Sequence, residues 1–179
     1  KFSGVLGGAP FDLAGTFKNM TGPDSEVDFK LQGENILLYR DENLRLRADT
    51  QLVLKGPIAK MELSGEVAVT DGGFFKNFGI LEGFEGITKS DTGGGFQLFS
   101  IRESPFNDLR FNVRITAKEP FLVRNNLARG SVRPDLLLTG TGEVPLLVGK
   151  VYVEPTRLYL PAGRMNLQTG MIRFEQNEP

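Results

Sequence analysis

Apolar and polar residues alternate one by one along several stretches of this chain. Over residues 109–117 every odd position is apolar and every even position is polar. A period of two places all the apolar side chains on one face of a β-strand, because successive side chains of a strand point to opposite faces. The same alternation occurs over residues 26–32 and 44–48. These stretches therefore predict strands with one apolar face and one polar face.

Shorter apolar stretches extend this pattern over most of the chain. Turn signals such as Gly56-Pro57 and Thr169-Gly170 separate them, and no segment of a dozen residues keeps the 3.6-residue period of a helix. The 22 glycines and 10 prolines suit many short connections. The pattern predicts an all-β fold, with further strands at residues 11–17, 35–40, 51–55, 61–70, 120–124, 131–139, 146–153, 157–160, 164–168 and 171–174.

One pattern of strands and glycines occurs twice. At an offset of 84 residues, Gly56 and Gly65 correspond to Gly140 and Gly149, and the apolar positions around them correspond as well. We interpret this as two copies of one β-meander. The copies span residues 37–75 and 121–159. Such a repeat can close into a barrel, fold into a sandwich, or grow sideways as an elongated sheet whose units cover each other's edges.

The two ends of the chain favour the elongated sheet. The first four residues do not resemble a signal peptide or a natural start, and the last five follow a strand-like stretch with no terminal element. We therefore expect residues 1–179 to be a single fragment of a longer repetitive β-groove domain. Within it, residues 72–104 are rich in glycine and phenylalanine without a clean period. This composition fits a mobile loop or a short helix lying over an apolar surface, and we favour a loop insertion.

The composition argues against several kinds of function. The 21 basic and 22 acidic residues are mixed along the chain, whereas nucleic acid and anionic membrane surfaces both call for a basic excess. The chain has no histidine and no cysteine, so it lacks the commonest general base, the commonest metal ligand and any thiolate site. We expect no catalytic residue, no metal site and no cofactor.

Three short motifs suggest chemistry, but ordinary structure explains each of them better. Residues 91–93 spell Asp-Thr-Gly, an aspartic-protease triplet, yet that chemistry needs a second carboxylate and no second copy exists. Residues 140–142 resemble a dinucleotide-binding loop, but the proline at position 145 favours a strand after it. The acidic residues within 24–28 alternate with apolar ones, which favours a solvated strand face over a calcium site.

The C-terminal half carries an ordered series of glycine-led strands. An apolar strand ends in Gly140, and the next strand continues from Gly149. The series finishes as G-x-x-x-x-x-x-G-x-I-x-F, which is fitted by Gly163, Gly170, Ile172 and Phe174. This series resembles the conserved domain of the TamB family over about residues 100–175, and residues 37–75 resemble it less closely.

The resemblance implies a place in the bacterial envelope. TamB-like proteins belong with the AsmA-like, bridge-type lipid carriers, which are anchored in the inner membrane and cross the periplasm as a long sheet folded into a groove. Their C-terminal region meets a BamA-like barrel protein of the outer membrane, TamA. Two roles follow from the resemblance: moving phospholipid to the outer membrane, and helping to insert outer-membrane β-barrel proteins.

We therefore expect an elongated, strongly curved antiparallel β-sheet with an apolar groove, similar to a folded taco. Its expected function is to conduct phospholipid acyl chains without catalysis. The alternative is a chaperone-like module that binds unfolded outer-membrane proteins by strand addition. The residues expected to line the groove are Val27, Phe29, Leu31, Leu44, Leu46, Leu52, Leu54, Leu109, Phe111, Val113, Ile115, Leu136, Leu138, Val151 and Val153. For the strands around 63–69 and 146–153 the pattern leaves the inward face open, since a one-residue slip would invert it.

Overall fold

A computed structural model describes residues 1–19, 25–77 and 100–175. These residues form one twelve-stranded sheet and two short 3₁₀ helices, Ile58–Lys60 and Phe106–Asp108. The strands are β1 (Phe2–Leu6), β2 (Ala9–Lys18), β3 (Glu26–Arg40), β4 (Leu44–Pro57), β5 (Glu62–Phe74), β6 (Arg110–Ala117), β7 (Phe121–Arg124), β8 (Ala128–Gly140), β9 (Pro145–Val153), β10 (Thr156–Leu160), β11 (Gly163–Leu167) and β12 (Gly170–Phe174). The all-β prediction is confirmed. Every predicted strand overlaps an observed one, and only β1 was not predicted.

The sheet is nine strand positions wide, because three positions are filled by a strand in two pieces. β6 and β7 both lie between β5 and β8, while β9 and β10 both pair with β8. β11 and β12 in turn pair with β10 and β9. At about 4.8 Å per position the sheet extends about 38 Å. Within the described residues β1 and β11/β12 remain unpaired on their outer sides, so the sheet is open and not a barrel.

The sheet is mostly antiparallel, as predicted, but one pair of neighbouring positions is parallel. β5 runs in the same direction as β6 and β7, with Leu63 opposite Phe111. A parallel pair cannot be closed by a hairpin and needs a long crossover connection. Residues 75–109 form that connection, and residues 78–99 of the predicted loop lie outside the described ranges. The first residues of the predicted loop, 72–74, are still part of β5.

The cross-strand register repeats at the offset of 84 residues. Leu52 lies opposite Gly65 in the β4–β5 pair, and Leu136 lies opposite Gly149 in the β8–β9 pair. The strand before each pair shows the same correspondence. The equivalence therefore covers a longer span than the sequence suggested. We call residues 26–74 the first repeat and residues 110–158 the second repeat.

Corresponding glycines allow the strands of each repeat to approach closely. Gly65 and Gly149 have φ angles of +130° and +129°, which side chains rarely tolerate. A Cβ atom at Gly65 would lie 2.0 Å from the carbonyl oxygen of Gln51, and one at Gly149 would lie 2.4 Å from that of Asp135. Both positions therefore require glycine, for the backbone conformation and for the space.

The substitution Gly65→Ala is expected to lower the free energy of unfolding by about 3–5 kcal/mol, from backbone strain together with steric overlap. Gly163→Ala is the matched control, because Gly163 also has a positive φ (+142°) but nothing within 4 Å of the added methyl group. Its cost is expected to be about 1–2 kcal/mol, from strain alone. Urea denaturation measures both, and equal losses would contradict the role assigned to the Gln51 contact.

A polar cluster joins the two repeats beside the parallel pair. Lys118, just after β6, forms an ion pair with Asp49 of β4, and its backbone N–H donates to the carbonyl oxygen of Val69. The hydrogen bond from Lys118 lowers the pKa of Asp49, assisted by the N–H of Asn35, and it raises the pKa of Lys118. The cluster holds the end of β6 against the first repeat.

The Asp49–Lys118 pair predicts a pH-dependent contribution to stability. A carboxyl whose folded pKa is lowered stabilises the fold above its unfolded pKa of about 4, and this stabilisation is lost as the pH falls through the folded value. Asp49→Asn should therefore be less stable than the natural chain at pH 7, with the difference shrinking at lower pH. Urea titrations at pH 7 and at a pH below the folded pKa of Asp49 measure the difference in stability between the two proteins. A difference independent of pH would count against the pair.

Candidate functional site

One face of the sheet carries no charged side chain at any paired strand position in the described residues. Residues directly opposite one another in neighbouring strands point to the same face, so the register assigns every strand residue to a side. We call the face that holds Val27 and Phe111 the groove face, and the other the polar face. Tyr39, Thr50 and Thr156 bring the only polar side chains to the groove face among these positions.

Irregularities in the strand pairing keep charge off the groove face. A bulge after Val69 in β5 turns Asp71 to the polar face, so that Gly72 takes the groove side. The break between β9 and β10 does the same for Arg157, and the break between β11 and β12 for Arg173. Uninterrupted alternation would have placed all three charges in the groove.

The groove face is the concave face of the sheet. Val113 and Val27 on it are only 4% and 7% exposed, whereas Asn112 on the polar face is exposed. In the described ranges no second sheet, and no helix longer than three residues, lies against these side chains. Val27 of β3 and Phe111 of β6 belong to one buried cluster although their strands are three positions apart, so the sheet curves toward this face. Near the two outer edges the same face opens, and Phe2 and Ile172 are 61% and 51% exposed.

The fifteen residues expected to line the groove all lie on the groove side. Fourteen are assigned by the strand register. The other, Leu109, precedes β6 and belongs to a buried cluster with Val27, Met61 and Phe111. Five of the fifteen are buried and ten are half-buried. For the strands around 63–69 and 146–153, whose inward face the sequence left undecided, the register places Val67 and Leu147 on the groove face. That these residues contact lipid stays a prediction.

Sequence reasoning missed part of the groove face. Phe11, Leu13 and Phe17 of β2 lie on it, and their period of two could have identified them. Ile36, which is 1% exposed, lies on it only because a bulge follows Gly33, and no local pattern signals that shift. The remaining members include Phe2, Leu6, Leu63, Val69, Phe121, Val123, Val132, Leu158, Met165, Leu167 and Phe174.

Phenylalanine rings lie over glycines of the neighbouring strand on the groove face. A Cβ at Gly15 would meet the ring of Phe29 at 2.3 Å, and one at Gly72 would meet the ring of Phe121 at 2.8 Å. Each ring therefore covers the backbone of the neighbouring strand at its glycine.

The described residues also form a cleft elsewhere. It has a volume of about 480 Å³ and lies largely on the polar face, where Lys18, Lys55 and Asp28 are among its lining residues. Lys55 and Asp28 approach to 3.6 Å and neutralise one another. This cleft offers no surface for an acyl chain, and the described residues contain no group of acidic side chains that could hold a metal ion. The open groove face is the stronger candidate.

An open, single-layer β-sheet with a continuous apolar concave face defines a β-groove protein. The family model of the TamB C-terminal domain matches residues 6–179. The chain therefore belongs to the TamB family, which is a transport and assembly module of the cell envelope. No curated protein and no solved structure matches the chain.

Family membership implies a location in the periplasm or envelope and a TamA-like partner in the outer membrane. None of the described helices has the length and apolar character needed to cross a membrane. The membership gives the chain its general setting, while the molecule that occupies the groove is a separate question.

The two threonines of the groove face give a test of its apolar character. Thr50 is 1% exposed, and its Oγ1 finds no partner in the described residues, whereas the Oγ1 of Thr156 donates to the carbonyl oxygen of Glu154 at 2.7 Å. Thr50→Val should raise the free energy of unfolding by about 1 kcal/mol, because it removes an unsatisfied hydroxyl. Thr156→Val should lower it by a similar amount. Urea denaturation measures both, and a destabilised Thr50→Val would show that its hydroxyl has a partner.

Proposed function

We propose that the groove face conducts phospholipid acyl chains between the inner and outer membranes. The observation that supports this best is the uncharged concave face, which continues across all nine strand positions. A lipid tail on this face would contact apolar side chains at every step, while its polar headgroup stayed in water beyond the strand ends. No catalytic step is needed for such passage.

The physical chemistry of the face suits a conduit better than a storage site. Each methylene group removed from water contributes about 0.8 kcal/mol, so a chain spread over several strands is held firmly. The face offers no charge that could fix a lipid at one place. Neighbouring positions are similar in chemistry, so the free energy of a bound chain changes little as it moves along the groove. In the proposed setting, the chain is part of a protein anchored in the inner membrane.

The open sheet edges favour a second candidate function. The outer sides of β1 and of β11/β12 are unpaired in the described residues, and such edges can accept an extended polypeptide. On this alternative the module shelters unfolded outer-membrane β-barrel proteins during insertion. The two candidates differ in what accompanies the purified protein, which is lipid in one case and extended polypeptide in the other.

The conduit is tested by placing a charge on each face of one strand. Leu31 is half-buried on the groove face, and its neighbour Gln32 is exposed on the polar face. Leu31→Arg should reduce the phospholipid that co-purifies with the chain about tenfold or more, because an uncompensated charge is costly in an apolar groove. Gln32→Arg should leave it unchanged. Lipid extraction followed by mass spectrometry measures both, and circular dichroism confirms that both variants keep their β-structure.

Equal lipid on the two variants would overturn the conduit. The absence of lipid from the natural chain, together with a polypeptide crosslinked to β1 or β11, would favour the strand-addition function. The same comparison can be made in the second repeat by placing arginine at Ile115 or at Thr116, which correspond to Leu31 and Gln32.

A further inference from the structure

The two repeats share a fold but carry opposite charge. The first repeat has six basic and nine acidic residues, and the second has eight basic and four acidic residues. Their net charges are therefore −3 and +4, which the overall balance of the chain conceals. Because both repeats use the same register, the fold itself does not require this difference.

Part of the difference lies at one turn of each repeat. In the first repeat, Asp41 accepts hydrogen bonds at Oδ1 from the N–H groups of Asn43 and Leu44. In the second repeat, the corresponding Asn125 accepts the same two bonds from Leu127 and Ala128. The turn is thus preserved while its charge is removed.

The neighbouring carboxylates are lost as well. Glu42 and Asp71 of the first repeat correspond to Asn126 and Pro155 of the second. Asp71 forms an ion pair with Arg45 at 2.7 Å, whereas Arg129, which corresponds to Arg45, has no carboxylate partner among the described residues. Around this turn the second repeat therefore keeps Arg124 and Arg129 without the acids that neighbour Arg40 and Arg45 in the first.

The result is an exposed cluster that we call the arginine patch: Arg124, Arg129, Arg157 and Arg164. Arg129 lies directly opposite Arg124 on one side and Arg157 on the other, and like charges at such positions repel. The guanidinium carbons of Arg129 and Arg164 lie 5.7 and 5.9 Å from the ring centre of Tyr159, which orients both groups. Arg129 and Arg157 also line a cleft of about 420 Å³.

An apolar hairpin tip stands beside the patch. β10 and β11 pair along their full length, but β8 pairs only with Arg157 and Leu158 of β10, so the tip extends beyond β8. Leu160 and Met165 near this tip are 41% and 49% exposed. Arginines that bind phosphate, next to exposed apolar side chains, are the combination that binds a bilayer surface. An acidic peptide would use the charge but not the tip.

We infer that the arginine patch and the β10–β11 tip form a docking site for an anionic phospholipid surface. The arginines bind headgroup phosphates, and Leu160 and Met165 enter the interface between headgroups and acyl chains. The arginines lie on the polar face, whereas Leu160 and Met165 lie on the groove side of the same hairpin tip, so the tip would enter the interface by its end. Substitutions of the polar-face arginines therefore test docking and leave the groove face unchanged. It would hold the second repeat, and not the first, against a membrane.

The test is flotation of the chain with vesicles of phosphatidylcholine, with and without phosphatidylglycerol. The natural chain should bind the anionic vesicles and not the neutral ones. The double variant Arg124→Gln, Arg129→Gln should bind about 25-fold less tightly, at roughly fivefold for each arginine. The corresponding first-repeat variant, Arg40→Gln, Arg45→Gln, is the matched control and should bind nearly as well as the natural chain.

A second variant tests the patch without removing an arginine. Pro155→Asp places a carboxylate where the first repeat has Asp71, so an ion pair with Arg129 should weaken vesicle binding in a folded protein. Equal losses from the two double variants, or no preference for anionic vesicles, would overturn the docking site. Inorganic phosphate and chloride are then compared as agents that release the chain from anionic vesicles. Release by phosphate at an ionic strength far below that needed with chloride would assign the patch to soluble phosphate instead. Lipid bound in the groove should be the same in all these variants.

Discussion

Backbone hydrogen bonds fix the register between neighbouring strands, and the register decides which side chains share a face. A slip of one residue would exchange the two faces of a strand and bring charges such as Arg114 into the groove. Even in the correct register, strict alternation would turn some charged residues toward the groove. Bulges and breaks reset the alternation at those places. The uncharged face is therefore a property of the pairing as much as of the composition.

A single curved sheet obtains its core from its own concavity. Val27, Met61, Leu109 and Phe111 are buried together although they come from different positions across the sheet. Curvature brings neighbouring groove-face side chains closer together. At Gly65 and Gly149 the backbone of the neighbouring strand also approaches closely, which only glycine permits. At the outer edges this mutual shielding ends, which is why Phe2 and Ile172 remain exposed.

Local pattern predicted the strands and the parity of most of them, because a period of two is written in the sequence itself. It also revealed the repeat through Gly65 and Gly149. It could not predict the parallel pairing of β5 with β6, since that depends on contacts between residues far apart in the chain. The bulge that turns Ile36 inward was missed for the same reason, and overall composition hid the separation of charge between the repeats.

The two faces of the sheet are under different constraints if the groove conducts lipid. An acyl chain that slides past both repeats meets the same requirement at each, so the groove face has to stay apolar throughout. The polar face has no such requirement, because it would not contact the chain in transit. The turns show this separation: Asp41 and Asn125 make the same backbone hydrogen bonds, and only the charge that they present to the outside differs.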